Sequence, residues 1–280
     1  MTDVLIVTNG YPRTWSAIEQ GAWLASTLGA KITLLGVTEK ANPAAIDDAH
    51  PLEEMFERAV GLFKAQGTEY NLEVQKGIAE EVIPKRATQG KFIVVLSPLG
   101  RPQIRRLITG RSIRHFIEEL TQPILYVPQS KLPMNKILIS VGGLGYEINA
   151  EHLAMQIALK SRTEITLLHI VPPMELDYPT ARMLRDNWQH VEQTDTPIGR
   201  SLRQALQIAE TNGLTAVIKG RQGNIVEEIL AEAREGNYDL LCMGSSYSAH
   251  SLRQRYSTNV TAEISDAVNV PVLTARYKRE

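Results

Sequence analysis

Two tandem α/β units, each a Rossmann-like α/β/α sandwich around a five-stranded parallel sheet, are the fold class this sequence predicts. Three observations carry the prediction. Short apolar, β-branched runs alternate with longer stretches of helical periodicity, as strands joined by crossover helices do. The alternation occurs twice, with its elements in the same order. Between the copies lies Pro128–Pro133, short and without periodicity, which sets the predicted domains at 1–128 and 134–280.

In the first copy Val4-Leu5-Ile6-Val7-Thr8 is a strand that stops at the turn signal Asn9-Gly10. Ile18, Ala22, Leu24, Ala25 and Leu28 mark a helix ended by Gly29. Ile32 to Val37 is the second strand, and Glu39 to His50 reads as loop. Pro51 to Gln66 is a helix with Met55, Ala59, Leu62 and Phe63 inward, and Asn71 to Gln75 is a short third strand ending at Lys76-Gly77. Ala79 to Thr88 is helical, with a kink or break expected at Pro84 because proline brings no N–H to the helix ladder. Lys91 to Leu96 is the fourth strand. A helix then runs from Ser112 through Ile113, Phe116, Ile117 and Leu120 to the last strand, Gln122 to Val127.

The second copy follows the first with a growing offset: 133 from Val4 to Ile137, 143 from Lys76 to Lys219, and 148 from Pro123 to Pro271. Lys31–Leu35 realigns on Glu164–Leu168, and Asn9-Gly10 on Gly142-Gly143. Most of the added residues fall in Pro172 to Thr196, within which Met174 to His190 reads as a lid over the second site or as a longer connection. Two independent domains would not share strand order and spacing by accident, so this is an internal repeat.

Chemistry gathers between the fourth strand and the helix after it, in Ser97–Ser112. Gly100 and Gly110 punctuate that loop, and Arg101, Arg105, Arg106, Arg111, Arg114 and His115 crowd it and the helix start. Backbone N–H groups and the positive end of a helix dipole favour an anion there, which favours phosphate contact over a merely solvated charged face.

Composition narrows the classes. The 280 residues are 43% hydrophobic and 22% charged, with a net charge of −1, so no global basic field argues for nucleic acid. No apolar run approaches the ~20 residues of a membrane span, and residues 1–25 do not resemble a signal peptide. One cysteine, Cys242, lies in an apolar run, reads as core, and fits a cytoplasmic protein. Asp47, Asp48 and His50 read as an ordinary loop, and no Cys/His spacing supports a metal site. His169, at the end of a buried strand, reads as structural. Trp15, Trp23 and Trp188 are too scattered to form an RNA stacking platform.

With its halves aligned the chain resembles the universal stress protein family in a tandem, two-domain form. The residues that carry the resemblance are Leu168-His169-Ile170-Val171, Gly77 and Gly220 read as third-strand ends, the helix starts Ala79-Glu80-Glu81-Val82 and Val226-Glu227-Glu228-Ile229, and Asp239–Ser245. The resemblance implies strand order 3-2-1-4-5 and an internal pseudo-dimer joined through the last strands, with further homodimerisation open. It also implies a nucleotide at the carboxyl ends of strands one and four. The ATP-binding members have an Asp after strand one and a loop of Gly, two residues, Gly, nine residues, Gly-Ser/Thr. Those positions here are Asn9, Ser97, Gly100, Gly110 and Arg111, with Ser112 one place late; in the second half they are Gly142, Gly244, Tyr247, Ser257 and Thr258.

The implied first-domain site for ATP or another adenine nucleotide is therefore Asn9, Gly10, Val37, Ser97, Gly100, Arg101, Gly110, Arg111 and Ser112. Gly142, Gly143, Gly244, Ser245, Tyr247, Ser257 and Thr258 form a degenerate second site. The functional expectation is a cytoplasmic stress-response regulator without turnover, with no nucleic-acid or membrane partner. Two alternatives stand beside it. One is a scaffold that works through protein contacts. The other is an ATP-using enzyme of the adenine-nucleotide α-hydrolase-like fold, whose S-G-G-x-D-S loop has no equivalent Asp in Ser140–Gly145.

Overall fold

The computed structural model describes residues 2–38, 51–99, 113–142, 148–173, 179–245 and 259–276. The chain divides into two compact units, Met1–Leu132 with Asn269–Pro271, and Pro133–Val268 with Val272–Glu280.

In the first unit β1 (Asp3–Thr8), α1 (Trp15–Leu28), β2 (Ile32–Thr38), α2 (Pro51–Ala65), β3 (Tyr70–Lys76), α3 (Ala79–Ala87), β4 (Phe92–Leu96), α4 (Ile113–Glu119) and β5 (Ile124–Tyr126) follow in order. All strand pairs in it are parallel and give the order β3-β2-β1-β4-β5. Such a sheet is covered on both faces, so its central strands must be apolar throughout rather than alternating. Val4, Leu5, Ile6, Ile32, Leu34, Val94 and Val95 are accordingly fully buried, whereas Leu72 and Val74 on β3 are exposed.

Pro84 lies inside α3. Its missing N–H leaves the Glu80 carbonyl without the usual helical donor, and His115 Nε2 on α4 donates to that oxygen at 3.3 Å. The proline thus becomes a docking point between two helices.

The second unit repeats the plan with β6 (Lys136–Ser140), α5 (Ile148–Ser161), β7 (Glu164–Val171), α6 (Pro179–Asp186), α7 (Pro197–Thr211), β8 (Ala216–Gln222), α8 (Ile225–Glu235), β9 (Leu240–Ser245), α9 (Val260–Ala267) and β10 (Val272–Arg276). Its parallel order is β8-β7-β6-β9-β10. Three side chains cap its helices: Thr196 accepts from Gly199 N at 3.1 Å, Asn224 from Val226 N at 3.0 Å, and Asn259 from Ala262 N at 3.2 Å.

One repeat position needs correction. Gly220 does not end the third strand of its unit but sits within β8. The counterpart of Gly77 is Gly223: their φ angles are +153° and +154°, a region that favours glycine, and each stands immediately before the N-cap residue of a helix. Gly220 serves a different purpose. A Cβ there would lie 1.8 Å from the Trp188 carbonyl oxygen, so the missing side chain lets a 3-10 turn, Trp188–Gln193, close directly onto β8. That turn belongs to the inserted stretch after β7, and Arg203 on α7 holds it by donating to the Glu192 and Thr194 carbonyls.

A charged network joins α8 to β8. The Glu232 carboxylate, 1% exposed, accepts from Tyr238 Oη at 2.6 Å, Lys219 Nζ at 2.7 Å and Arg221 Nε at 2.9 Å. Burial raises the Glu232 pKa; the donors from Lys219, Tyr238 and Arg221 outweigh it and hold the carboxyl below the usual range. Burial and the bond to Glu232 push the Tyr238 hydroxyl well above its ordinary value.

Candidate functional site

Parallel sheets of this kind present ligand sites at the carboxyl ends of their strands, where the strand order reverses. In the first unit that edge begins at Thr8. Its buried hydroxyl pairs with Thr14 Oγ1 at 2.6 Å and accepts from Gly10 N at 3.1 Å. Gly10 has φ +83°, which completes the tight turn, and Asn9 Oδ1 accepts from Tyr11 N at 3.4 Å. Strand register pairs Thr8 with Gly36 and Ile6 with Val95. Asn9, Val37 and Ser97 therefore leave neighbouring strands side by side.

Ser97 is 5% exposed, and its hydroxyl has no hydrogen-bond partner among the described residues. Leaving such a group unmatched costs about 1–3 kcal/mol, so the arrangement favours a molecule that supplies the bond. A cleft of about 490 Å³ opens beside this edge, lined by Pro12, Arg13, Trp15, Ser16, Pro98 and Pro128 among others. The Arg58 guanidinium stacks 3.6 Å from the centre of the Trp15 ring, whose buried Nε1 also has no partner among the described residues. The structure thus brings together Asn9, Gly10, Val37 and Ser97. Gly100, Arg101, Gly110, Arg111 and Ser112 lie outside the described residues.

The corresponding edge of the second unit is built otherwise. Gly142 follows β6 and is exposed; it offers no polar side chain. His169, 6% exposed, donates from Nδ1 to the Val141 carbonyl at 2.8 Å, which agrees with the structural reading of this histidine. Gly244 pairs with Ala275, and its carbonyl accepts from Thr261 Oγ1 at 3.1 Å. Ser245 ends β9; Gly143, Tyr247, Ser257 and Thr258 lie outside the described residues.

A cavity of about 430 Å³ occupies this edge. The strands contribute Val141, Ile170 and Val171 to its wall, and α7 and α8 contribute Ile198 and Ile225. The fourth side comes from the insertion, where α6 places Thr180, Ala181, Leu184 and Arg185 against the space. Residues 180–185 therefore act as a wall and not as a bare connection.

The sequence model of the universal stress protein family matches residues 134–276, just over half the chain. The chain belongs to the universal stress protein family. Its fold is similar over 98% of its length to the universal stress protein from Archaeoglobus fulgidus DSM 4304, of which 96% is covered, with a TM-score of 0.67 at 16% identity. A candidate universal stress protein from Pseudomonas aeruginosa UCBPP-PA14 matches with a TM-score of 0.61 at 12% identity, over 98% of this chain and 93% of that one. A universal stress protein solved in complex with cAMP aligns with 52% of this chain and 99% of its own, with a TM-score of 0.41 at 22% identity. No curated protein matches the chain in sequence.

In this universal stress protein the described residues at the two edges differ in their lining. Sequence reasoning named the strand ends but missed the apolar cavity and the role of α6. The signal was there: Ala181 and Leu184 are three residues apart inside the insertion, the spacing of one helix face. Among the described residues no helix is long and apolar enough to cross a membrane, and no cluster of His, Cys, Asp and Glu could hold a metal ion. Cys242 is fully buried, and burial pushes its thiol well above the ordinary range, leaving it a core residue and not a nucleophile.

Proposed function

We propose that this universal stress protein is a cytoplasmic regulator whose first domain binds an adenine nucleotide or another phosphate ligand. Asn9, Gly10, Val37 and Ser97 would form the nucleoside side, and the loop bearing Gly100, Arg101, Gly110, Arg111 and Ser112 would meet the phosphates. The observation that carries this reading is the buried Ser97 hydroxyl, without a hydrogen-bond partner among the described residues and one strand away from the Asn9-Gly10 turn. The second domain is read as lost to nucleotide, because Gly142 stands where an acceptor is needed and Tyr247 and Ser257 replace two loop glycines. The output is regulatory: among the described residues neither edge sets a nucleophile beside a base.

Calorimetric titration of ATP, ADP and AMP into the full chain tests it. One site per chain is expected, lost in Gly110→Tyr and weakened roughly 10- to 100-fold in Arg111→Ala, the scale of one charge-assisted bond to phosphate. Gly142→Tyr, at an exposed position of the second domain, is expected to bind like the wild type. Two equivalent sites, or equal loss in Gly142→Tyr, would overturn the asymmetry. No binding up to millimolar nucleotide would favour a scaffold acting through protein contacts.

A further inference from the structure

The two units carry one ion pair at equivalent places with its polarity reversed. In the first, Glu73 on β3 faces Arg86 on α3, and both carboxylate oxygens accept from the guanidinium, at 2.7 and 2.8 Å. In the second, Lys219 on β8 donates to Glu232 on α8 at 2.7 Å. Strand register makes the positions equivalent: Glu73 stands beside Leu35, and Lys219 beside Leu168, the counterpart of Leu35 in the repeat. The spacing agrees, being 146 from Glu73 to Lys219, 146 from Arg86 to Glu232 and 146 from Phe92 to Tyr238. The third residue suits each polarity. The Arg86 guanidinium lies over the Phe92 ring, 4.9 Å from its centre, whereas the Tyr238 hydroxyl donates to Glu232. The cation meets an aromatic face, and the carboxylate meets a donor.

The apolar side of the same junction is alike in both units. Ile83 and Ile229 are buried at matching positions, as are Ala87 and Ala233, and Gly77 and Gly223 share one φ. Apolar contacts therefore do not stop α8 from docking against β3, or α3 against β8. Exchange of matching segments is a characteristic misassembly of repeated domains, and a tandem chain holds both copies at high local concentration. The charges oppose it. In a hybrid of β1 to β3 with α8 to β10, Glu73 meets Glu232, which has lost Lys219 and Arg221. In the complementary hybrid, Lys219 and Arg221 meet Arg86. Glu232 is 1% exposed, so water does not relieve the like-charge contact.

We propose that the reversed triads make each third strand accept only its own helix, so that the two units do not exchange the halves that join at Gly77 and Gly223. The device acts in assembly and is independent of what either unit binds.

The full chain with Gln75→Cys and Glu235→Cys is the reporter. Glu235 accepts from Arg221 in the second unit, and Gln75 is the counterpart of Arg221 in the first, 146 positions earlier. A hybrid thus brings the two introduced thiols within reach of a short bismaleimide, while Cys242 is buried. Chains are refolded from urea and cross-linked, and the link between positions 75 and 235 is quantified by mass spectrometry in monomers and dimers. Giving the first unit the polarity of the second, with Glu73→Lys, Arg86→Glu and Phe92→Tyr, is expected to raise that link at least about 10-fold. The converse set, Lys219→Glu, Arg221→Gln, Glu232→Arg and Tyr238→Phe, is expected to do the same and decides the matter if the first set does not fold. Reversing both units together is expected to restore the level of the original triads. An unchanged link in folded single-unit variants, or a link that stays high with both units reversed, would overturn the proposal. Failure of both single-unit sets to fold would overturn the interchangeability on which it depends.

Discussion

Replacing Glu232 with alanine removes the acceptor at the centre of the α8–β8 network, and its cost can be worked group by group. Tyr238 is 2% exposed, so its hydroxyl loses its acceptor and cannot turn to water, a loss worth about 1–2 kcal/mol. The lost methylene of the buried stem adds about 1 kcal/mol. Lys219 and Arg221 are 44% and 21% exposed and rehydrate in part, so they add well under the ~3–5 kcal/mol of a fully buried broken pair. The sum is about 3 kcal/mol. Urea denaturation followed by amide exchange over β8 and α8 reads this unit separately from the first. Glu235, which also pairs with Arg221 but is 63% exposed, is the comparison: Glu235→Ala is expected to cost less than about 0.5 kcal/mol. The sharper test is a cycle. Tyr238→Phe is expected to cost about 1 kcal/mol in the wild type and clearly less in Glu232→Ala, where the hydroxyl has already lost that acceptor. An equal cost of Tyr238→Phe in both backgrounds would refute the claim that Glu232 satisfies it.

Two further predictions follow from the same coordinates. Glu73, hydrogen-bonded to Arg86 at 2.7 Å, and Glu232 both have folded-state pKa values held below the ordinary 4.5; the stability they contribute is complete above 4.5 and is lost as pH falls below 4.5 through the depressed folded values, so acid melts of Glu232→Gln should show a shallower decline over that window than the wild type. Gly220→Ala places a Cβ against the Trp188 carbonyl and is expected to cost more than about 3 kcal/mol or to detach the 188–193 turn, seen as faster amide exchange there, whereas Gly61→Ala, with open space around it inside α2, is expected to stabilise by about 0.5–1 kcal/mol.

The sheets were legible because parallel strands buried on both faces have to be continuous apolar runs, and Val4–Val7 and Phe92–Leu96 have no other reading next to Gly and Asn punctuation. Strand order is not a local property; it came with the family resemblance, and β3-β2-β1-β4-β5 and β8-β7-β6-β9-β10 agree with it. The third strand of the repeat was misplaced by three residues because Lys-Gly recurs at 76–77 and 219–220, although the backbone device that ends β3 is a glycine at φ +153°, which recurs at 223. A dipeptide identity is a weaker marker than a required dihedral, and only coordinates show the dihedral. In the candidate sites the glycines and serines were visible, but whether a hydroxyl is satisfied is a three-dimensional fact. Ser97 becomes informative only when its buried oxygen is seen to lack a partner among the described residues.

The insertion after β7 shows how a repeated sheet acquires a second chemistry at little cost to its fold. Lengthening a surface connection is inexpensive, since doubling a loop adds only about 0.6 kcal/mol of closure entropy, while changes within a buried strand cost several times that. The added residues recover part of that cost by docking: Ala181 and Val191 are 6% and 1% exposed, and the 188–193 turn lies on β8. Docking required one concession inside the sheet, a glycine at 220 where a side chain would collide with the Trp188 carbonyl. Gly220 is therefore the point at which the strand scaffold and the cavity wall constrain each other. A residue chosen for the sheet alone would carry a β-branched side chain there, as the β-propensity of a half-buried strand favours, and would leave the Trp188–Gln193 turn, with α6 just before it, without its seat.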